Sequence, residues 1–242
     1  MNLVLALVLL PFLALAAAAD GLCAARVLQG RKAVVCTVDT ARHAVRTLWK
    51  DAAGAPYGSL SGIATTATAA TGPVLMAMNA GMYHDDLAPV GLYIEQGATL
   101  ARIVTGGGPG NFHMRPNGVF HVAGRNVGVT ETRRFAARPP KVDFASQSGP
   151  MLVIDGKLHP AFTGRGTSAK IRNGVGVAGR TAIFVITEEP VTFTEFALMF
   201  RDDLRARNAL YFDGSISSLY APSVGRADRF MPVGPIVAVY AK

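Results

Sequence analysis

The residues most suited to chemistry follow a short apolar run near the C-terminus. Residues 209–212 are predicted to form a buried strand, and Asp213, Gly214 and Ser215 come directly after it. A carboxylate at the end of a buried strand is held firmly, and the glycine allows the backbone to bend close to a ligand. The simpler interpretation is a tight Asp-Gly turn whose carboxylate bonds its own backbone. Taken alone, the stretch favours that simpler interpretation.

A second polar loop follows the apolar run at residues 74–78. It contains Asn79 and His84, and then the adjacent carboxylates Asp85 and Asp86. His84 is a candidate proton donor to a departing oxygen, with a plain surface histidine as the simpler interpretation. The two carboxylates either hold a divalent ion or solvate the loop, and adjacent acidic residues usually do the latter.

Other polar candidates lie beside glycines. They are Asn117 before Gly118, Ser148 before Gly149, and Arg172 and Asn173 before Gly174. The planar guanidinium of Arg172 suits phosphate oxygens, and an exposed arginine at the start of a strand is the alternative. The asparagine amides either bond sugar hydroxyls or stabilise turns.

Two enzyme classes lack their motifs in this sequence. Ser148 is not part of a Gly-x-Ser-x-Gly elbow, so a serine hydrolase is not supported. The glycine-rich segment 105–110 lacks the Gly-Lys-Ser/Thr ending of a P-loop, so we reject a nucleotide site there. No cofactor is predicted, and a divalent metal is left open.

The chain is basic, with a net charge of +8 among its 242 residues. A basic surface favours an anionic partner such as a sugar phosphate or an acidic glycan. The cationic residues are scattered and are not interleaved with aromatic ones, so nucleic acid is not predicted as a partner.

The N-terminal segment predicts export. Residues 1–19 carry no charged side chain, are rich in Leu, Val and Ala, and end in a run of alanines. This composition is typical of a secretory signal peptide, although its start lacks a Lys or Arg. An uncleaved anchor is the less favoured alternative, because the apolar core is short for a bilayer. We expect a secreted or periplasmic chain of residues 20–242 with no transmembrane segment.

Only two cysteines occur, Cys23 and Cys36. Their spacing matches no zinc site, and an exported chain meets an oxidising compartment, so a disulfide that pins the first strand is plausible.

Short apolar runs between turn residues predict a mostly β chain. Strands are expected at 32–37 and 44–49, which read as a pair joined by a short turn, and at 74–78, 118–123, 209–212 and 235–240. Hairpins are expected at 90–95 with 100–104 and at 151–154 with 157–159. Two further strands are expected at 174–178 and 182–187, separated by Gly179 and Arg180.

Two helices and one loop complete the pattern. A helix is expected over residues 59–70, and another over 193–207, where Thr192 and Glu195 fit a capping box. Residues 131–141 are charged and contain prolines, which favours a surface loop. The whole predicts a single α+β domain with one or two mixed β-sheets and the second helix packed on a sheet face.

Five segments together resemble the phosphodiester glycosidase family. They are residues 79–83 with 89–92, 110–120, 147–152, 171–176 and 193–220, and the resemblance extends from about residue 32 to the C-terminus. The family includes the enzyme that uncovers mannose 6-phosphate on lysosomal hydrolases and many exported bacterial proteins of unassigned role. The resemblance is strongest to the bacterial branch.

The resemblance implies hydrolysis of the bond between a sugar anomeric carbon and a phosphodiester oxygen. Such a site needs a carboxylate near the anomeric carbon and a cation or N–H groups at the phosphate. By position in the motifs, Asp213 is the expected carboxylate and Arg172 the phosphate ligand, with His84 as the candidate acid. The expected substrate-binding residues are Asn79, Gly81, Asn117, Ser148, Gly149, Asn173, Gly214 and Ser215.

One departure from the family leaves an alternative open. The uncovering enzymes carry Asp, three glycines and Ser where this chain has Asp213, a single glycine and Ser215. A narrower space beside the backbone implies a different substrate. It also keeps open a non-catalytic envelope protein that binds a glycan or a phosphate ligand in the same pocket.

Overall fold

A computed structural model describes residues 21–66, 72–162, 164, 166–214, 216–229 and 231–242. The predicted signal peptide, the end of the predicted helix 59–70 and Ser215 lie outside these residues.

The described chain is built mainly of strands. They are β1 (Cys23–Leu28), β2 (Arg31–Asp39), β3 (His43–Leu48), β4 (Val74–Asn79), β5 (Tyr93–Glu95), β6 (Ala98–Ala101), β7 (Gly118–Ala123), β8 (Asn126–Glu131), β9 (Phe144–Ser148), β10 (Met151–Ile154), β11 (Lys157–Leu158), β12 (Asn173–Ala178), β13 (Thr181–Thr187), β14 (Asn208–Tyr211), β15 (Leu219–Ala221), β16 (Arg226–Ala227) and β17 (Ile236–Ala241). The α-helices are α1 (Leu60–Thr66), α2 (Thr132–Ala137) and α3 (Phe193–Leu198). Short 3-10 turns lie at Asn111–His113 and Pro222–Val224.

The strands form three sheets. Their orders are β1-β2-β13-β12-β14-β10-β11, β16-β15-β4-β17-β3 and β6-β5-β9-β7-β8. The α+β class is confirmed. The sheets are three instead of one or two, and the pairings between the strands named above are antiparallel.

The turn after β2 does not form a hairpin, so the predicted pairing of the first two strands is wrong. β2 pairs with β1 and β13, whereas β3 pairs with β17 in another sheet. A short turn fixes only the distance between two strand ends. In their separate sheets both strands contribute to the main core, through Val34, Val38 and Val45. The two hairpins predicted further along the chain are present, and the strands predicted on either side of Gly179 and Arg180 pair with each other as β12 and β13.

The main core lies where the three sheets face one another. Phe120 contributes to it from β7, and its ring packs edge-to-face on Phe184 at 5.8 Å and on Phe212 at 6.3 Å. Burying each such side chain stabilises the fold by about 1.5–3 kcal/mol. This core fixes the end of β14, where the candidate carboxylate follows.

The helix α3 begins at the predicted capping box. Thr192 Oγ1 accepts a hydrogen bond from Glu195 N at 3.2 Å, and the Glu195 carboxylate accepts from Thr192 N at 2.8 Å. The α-helix is shorter than expected because it widens into a π-helical turn over Met199–Asp203. Arg205 then adopts a left-handed conformation with φ of 54°, which ends the helical segment.

Residues 131–141 were predicted as a loop, and that prediction is wrong because α2 lies within them. The Glu131 carboxylate accepts from Arg134 N at 2.8 Å and caps this helix, and Phe135 anchors it in the core. One buried aromatic residue does not produce an apolar repeat at helical spacing, so the sequence did not indicate this helix.

The Cys23–Cys36 disulfide is confirmed, and it joins directly opposite residues of β1 and β2. Within the described residues, no helix combines the length and apolar character needed to cross a bilayer.

Candidate functional site

Asn79 is the centre of a polar cluster at the strand ends. Its side chain is buried, and its Nδ2 donates to the main-chain oxygen of Asp213 at 2.9 Å. Its Oδ1 accepts from Ser218 N and from Asn173 Nδ2, each at 2.8 Å. Because Asn79 ends β4 and Asn173 begins β12, two sheets meet at the turn that follows β14.

The carboxylate of Asp213 acts electrostatically on two phenols. Asp213 follows the end of β14 by two residues, and the Gly214 N–H next to it donates to the Tyr211 hydroxyl at 2.7 Å. Burial, and secondarily the charge of Asp213, raises the pKa of Tyr83 to about 12. Burial also raises the pKa of Tyr211, with Asp213 adding to the effect and Arg172 opposing it. The charge of Asp213 therefore acts on the ionisation of both phenols.

Gly214 is required by a close approach to Tyr211. The Gly214 N–H donates to the Tyr211 hydroxyl at 2.7 Å, and a Cβ at this position would overlap that hydroxyl. The glycine that was expected to give room to a ligand therefore gives room to a tyrosine.

Arg172 lies next to this turn but is buried. Gly174 pairs with Tyr211 in the β12–β14 ladder, and extending that register places Arg172 opposite Asp213. The residue is 1% exposed, and its Nε and Nη2 donate to the carbonyls of Val191 and Ser168, both at 2.8 Å.

Aromatic rings complete the surroundings of this guanidinium. Its carbon lies 3.7 Å from the ring centroid of Phe193 and 5.4 Å from that of Tyr211. Burial lowers the pKa of Arg172, and Tyr211 partly offsets this effect. Nη1 has no hydrogen-bond partner among the described residues. The guanidinium thus contacts main chain and aromatic rings.

Asn117 and Gly149 form a second group of predicted residues. Asn117 is buried, and its Nδ2 donates to the Phe112 carbonyl at 2.8 Å. A Cβ at Gly149 would lie 2.7 Å from that same carbonyl oxygen, so the glycine lets two segments touch. Ser148 is fully buried, and its hydroxyl has no partner in the described part of the chain.

This second group is joined to the first through the main chain. The carbonyl of Pro150 accepts from Tyr211 N at 3.1 Å. Gly81 N donates to Ser146 Oγ at 3.1 Å, and a Cβ at Gly81 would overlap the Gln147 carbonyl. Gly81 and Gly149 therefore allow close packing of main-chain segments next to the residues that contact β14.

His84 lies apart from these groups. It is exposed, and its N–H and carbonyl close a turn with Ala88 and Leu87 at 2.9 and 2.8 Å. Asp85 and Asp86 are exposed in the same turn. Among the described residues, no three His, Cys, Asp or Glu side chains are grouped in a way that could hold a metal ion.

A cleft of about 740 Å³ opens beside Gly214. Gly214, Ser217 and Ser218 line it together with the charged residues Glu188, Arg226 and Asp228. Its apolar lining residues include Ile171, Val224 and Met231. Asp213 and Arg172 are not among the described residues that line it. The polar cluster and the cleft therefore meet at Gly214.

The charged residues of the cleft are connected to one another. Arg226 Nε lies 3.0 Å from Asp228 Oδ2, and its Nη1 lies 3.8 Å from Glu188. Asp228 Oδ2 also accepts from Leu219 N at 2.9 Å, which fixes this carboxylate on β15. Arg226 is held at one edge and faces the cleft.

Sequence reasoning missed Tyr211, Tyr83, Arg226 and Asp228. Tyr211 had a usable signal, since a residue two positions before a candidate carboxylate on a strand shares its face. Arg226 and Asp228 follow Gly225 in a stretch with no recognisable period, so nothing indicated that they border a cleft.

Comparison with known proteins agrees with this architecture. The profile of the phosphodiester glycosidase family matches residues 73–239. The uncharacterized protein YigE of Escherichia coli is 38% identical over 185 residues, which cover 76% of this chain and 72% of YigE.

Two solved structures share the fold. The zebrafish N-acetylglucosamine-1-phosphodiester alpha-N-acetylglucosaminidase catalytic domain, auto-inhibited by its pro-peptide, superimposes with a TM-score of 0.62 at 11% identity, covering 91% of this chain and 82% of that one. A putative exported protein of Burkholderia pseudomallei gives a TM-score of 0.54 at 12% identity, covering 87% and 74%. With the family profile spanning most of the described residues, the chain belongs to the phosphodiester glycosidase family.

Proposed function

We propose that this protein is an exported hydrolase that cleaves the glycosidic bond of a sugar-1-phosphate diester, with an envelope glycan as a natural source of that bond. The name of the zebrafish relative describes action on an N-acetylglucosamine-1-phosphodiester, and that supports the substrate class. The sugar itself is left to experiment.

One observation carries the proposal. Segments that are far apart in the sequence and carry the family resemblance meet in one hydrogen-bonded cluster, in which Asn79 binds both Asn173 and the main chain of Asp213. This cluster adjoins a cleft of about 740 Å³ through Gly214. Clefts of this size are typical of small-molecule sites.

In the proposed reaction, the bond between the anomeric carbon and the phosphate oxygen breaks. Water adds its oxygen to the carbon and loses a proton to solvent or a base, and a phosphate monoester leaves. Asp213 would stabilise the positive charge that develops on the sugar ring. Phosphate is a good leaving group, so we assign no step to the exposed His84.

Two arginines are candidates for the contact with the substrate phosphate. Arg172 was expected to bind the phosphate, but its burial and its bonds to Val191 and Ser168 favour a supporting role. Arg226 borders the cleft, and Asp228 orients its guanidinium. We therefore assign the phosphate contact to Arg226.

Export is supported by two observations. The Cys23–Cys36 disulfide suits an oxidising compartment, and one structural relative is described as an exported protein. Processing after residue 19 can be checked by N-terminal sequencing of the protein purified from the periplasm or the medium.

The activity is tested with purified mature protein and a panel of synthetic sugar-1-phosphate diesters, including N-acetylglucosamine-1-phosphodiesters. We expect release of free reducing sugar. If the folded protein releases no sugar from any member, the hydrolase proposal fails. Saturable binding of a diester without product, unchanged in Asp213→Asn, would instead support the non-catalytic binding protein.

A further inference from the structure

Tyr211 takes no part in the chemistry proposed above, yet its hydroxyl contacts the turn that contains the carboxylate. We propose that Tyr211 is a positioning residue that fixes Asp213 by accepting a hydrogen bond from Gly214 N–H. The catalytic consequence rests on the proposed function, whereas the contact itself can be tested without any activity.

The peptide group between Asp213 and Gly214 is held from both sides. Its carbonyl oxygen accepts from Asn79 Nδ2 at 2.9 Å, and its N–H donates to the Tyr211 hydroxyl at 2.7 Å. With both polar atoms bonded, this peptide plane cannot rotate without breaking a buried hydrogen bond. The direction in which the Asp213 side chain leaves the backbone is thereby restricted.

The Tyr211 ring is itself fixed by groups outside the turn. It packs edge-to-face against Phe193 at 4.8 Å, and the Arg172 guanidinium lies 5.4 Å from its centroid. Its main-chain N–H donates to the Pro150 carbonyl at 3.1 Å. The hydroxyl therefore has a position set by the start of α3 and by two neighbouring segments. Arg172 supports Asp213 through this ring.

Gly214 shows how close this contact is. A Cβ built on Gly214 would overlap the Tyr211 hydroxyl, and the ring carbons Cζ and Cε2 would lie at 2.9 and 3.0 Å. The hydroxyl is thus the first atom that a side chain at position 214 would meet. The single glycine of this turn is explained by a residue within the chain, without a ligand.

The first test replaces Tyr211 by Phe, which removes one oxygen and keeps the ring. We expect kcat on the diester to fall by about 10- to 100-fold while KM stays within about threefold, because the carboxylate is misplaced and the cleft is unchanged. Tyr240→Phe is the matched control, since Tyr240 is equally buried but lies on β17, and it should leave kcat unchanged. Wild-type kcat in folded Tyr211→Phe would overturn the positioning role.

The second test needs no turnover. The Gly214 amide proton should exchange with solvent at least about tenfold faster in Tyr211→Phe than in the wild-type protein, as measured by NMR, because its acceptor is gone. An unchanged exchange rate would show that the hydrogen bond does not hold the turn and would overturn the proposal.

The third test is a double-mutant comparison. Gly214→Ala should lower Tm by several degrees in the wild-type background, because the new methyl group overlaps the hydroxyl. The same substitution should lower Tm by clearly less in the Tyr211→Phe background. Equal losses in both backgrounds would contradict the contact. If the wild-type protein releases no sugar, the proposed function fails, and these two physical tests still decide the role of Tyr211.

Discussion

Two arginines on either side of the Gly214 turn are held in opposite ways. Arg172 is 1% exposed, donates to two main-chain carbonyls and stacks on Phe193. Arg226 pairs with Asp228 at 3.0 Å and with Glu188 at 3.8 Å, and its side chain is 20% exposed on the wall of the cleft. The first arginine is built into the fold, and the second is available to a ligand.

This difference shows that a motif position does not by itself specify a contact with substrate. The buried Arg172 guanidinium donates through Nε and Nη2 to two main-chain carbonyls, and only its Nη1 has no partner among the described residues. Moving the two bonded donors to a ligand would leave buried acceptors unpaired. A partly exposed arginine can turn from the longer of its two carboxylate contacts, Glu188 at 3.8 Å, towards an anionic ligand. Arg172 and the polar cluster therefore form a rigid support. The cleft, with Arg226 on its wall, has the properties of a binding surface.

Asp213→Asn should have the largest effect. It keeps the shape of the side chain and removes the charge, so we expect kcat to fall by about a thousandfold or more with KM changed only modestly. The measurement is steady-state release of sugar from the diester. Asp202→Asn is the control, because Asp202 is a partly exposed residue of the π-helical turn that pairs with Arg201, and it should behave as wild type. A fully active Asp213→Asn would make Asp213 a turn residue and direct attention to Glu188 in the cleft.

Arg172→Lys should mainly reduce stability. The ammonium group cannot reproduce the bonds to Val191 and Ser168 or the stacking on Phe193, and it leaves a buried charge poorly paired. We expect a loss of about 2–4 kcal/mol in the free energy of unfolding, measured by urea denaturation.

A lysine substitution at Arg226 tests the contrast between the two arginines. Arg226→Lys should cost less than about 1 kcal/mol, because its ion pairs are partly exposed. If the two variants lose equal stability, the distinction between support and binding surface is wrong.

Arg226→Gln should act on binding. Removal of the cation that faces the cleft is expected to raise KM for the diester by about tenfold, with kcat changed less, as for a contact made in both ground and transition states. Arg125→Gln, an exposed substitution in the turn between β7 and β8, is the control for net charge. An unchanged KM would remove Arg226 from the phosphate site.

The sequence identified the scaffold of the polar cluster better than its mechanism. Apolar runs and turn residues located β4, β12, β14 and the capping box. Asn79, Asn173 and Asp213, which lie in three of the segments that resemble the family, do meet in space. Periodicity is a local property, so it says which residues share a face but not which strands pair. The separation of β2 from β3 illustrates this limit.

The cleft could not be predicted for the same reason. Glu188 follows β13, whereas Arg226 and Asp228 lie near the short strand β16, and these elements belong to different sheets. Burial of Arg172 was equally hidden, because it depends on Val191 and Phe193, which approach from the start of α3. Pairings of this kind arise only when the sheets pack together.

The smallest predicted effect concerns the proximity of Asp213 to Tyr83. Burial and, secondarily, the Asp213 charge raise the pKa of Tyr83 from 10.0 to about 12. Because the folded-state pKa is raised, the associated stabilisation is complete below pH 10 and is lost as the pH rises from 10 to about 12. In Asp213→Asn the pKa of Tyr83 should fall and yet remain above its ordinary value, since burial is the larger cause. The pH dependence of the Tyr83 ring signal in ¹³C-tyrosine-labelled protein, assigned with Tyr83→Phe, measures this change. An identical titration in both proteins would show that Asp213 is too far from Tyr83 to share a site, and the polar cluster would then lose one of its walls.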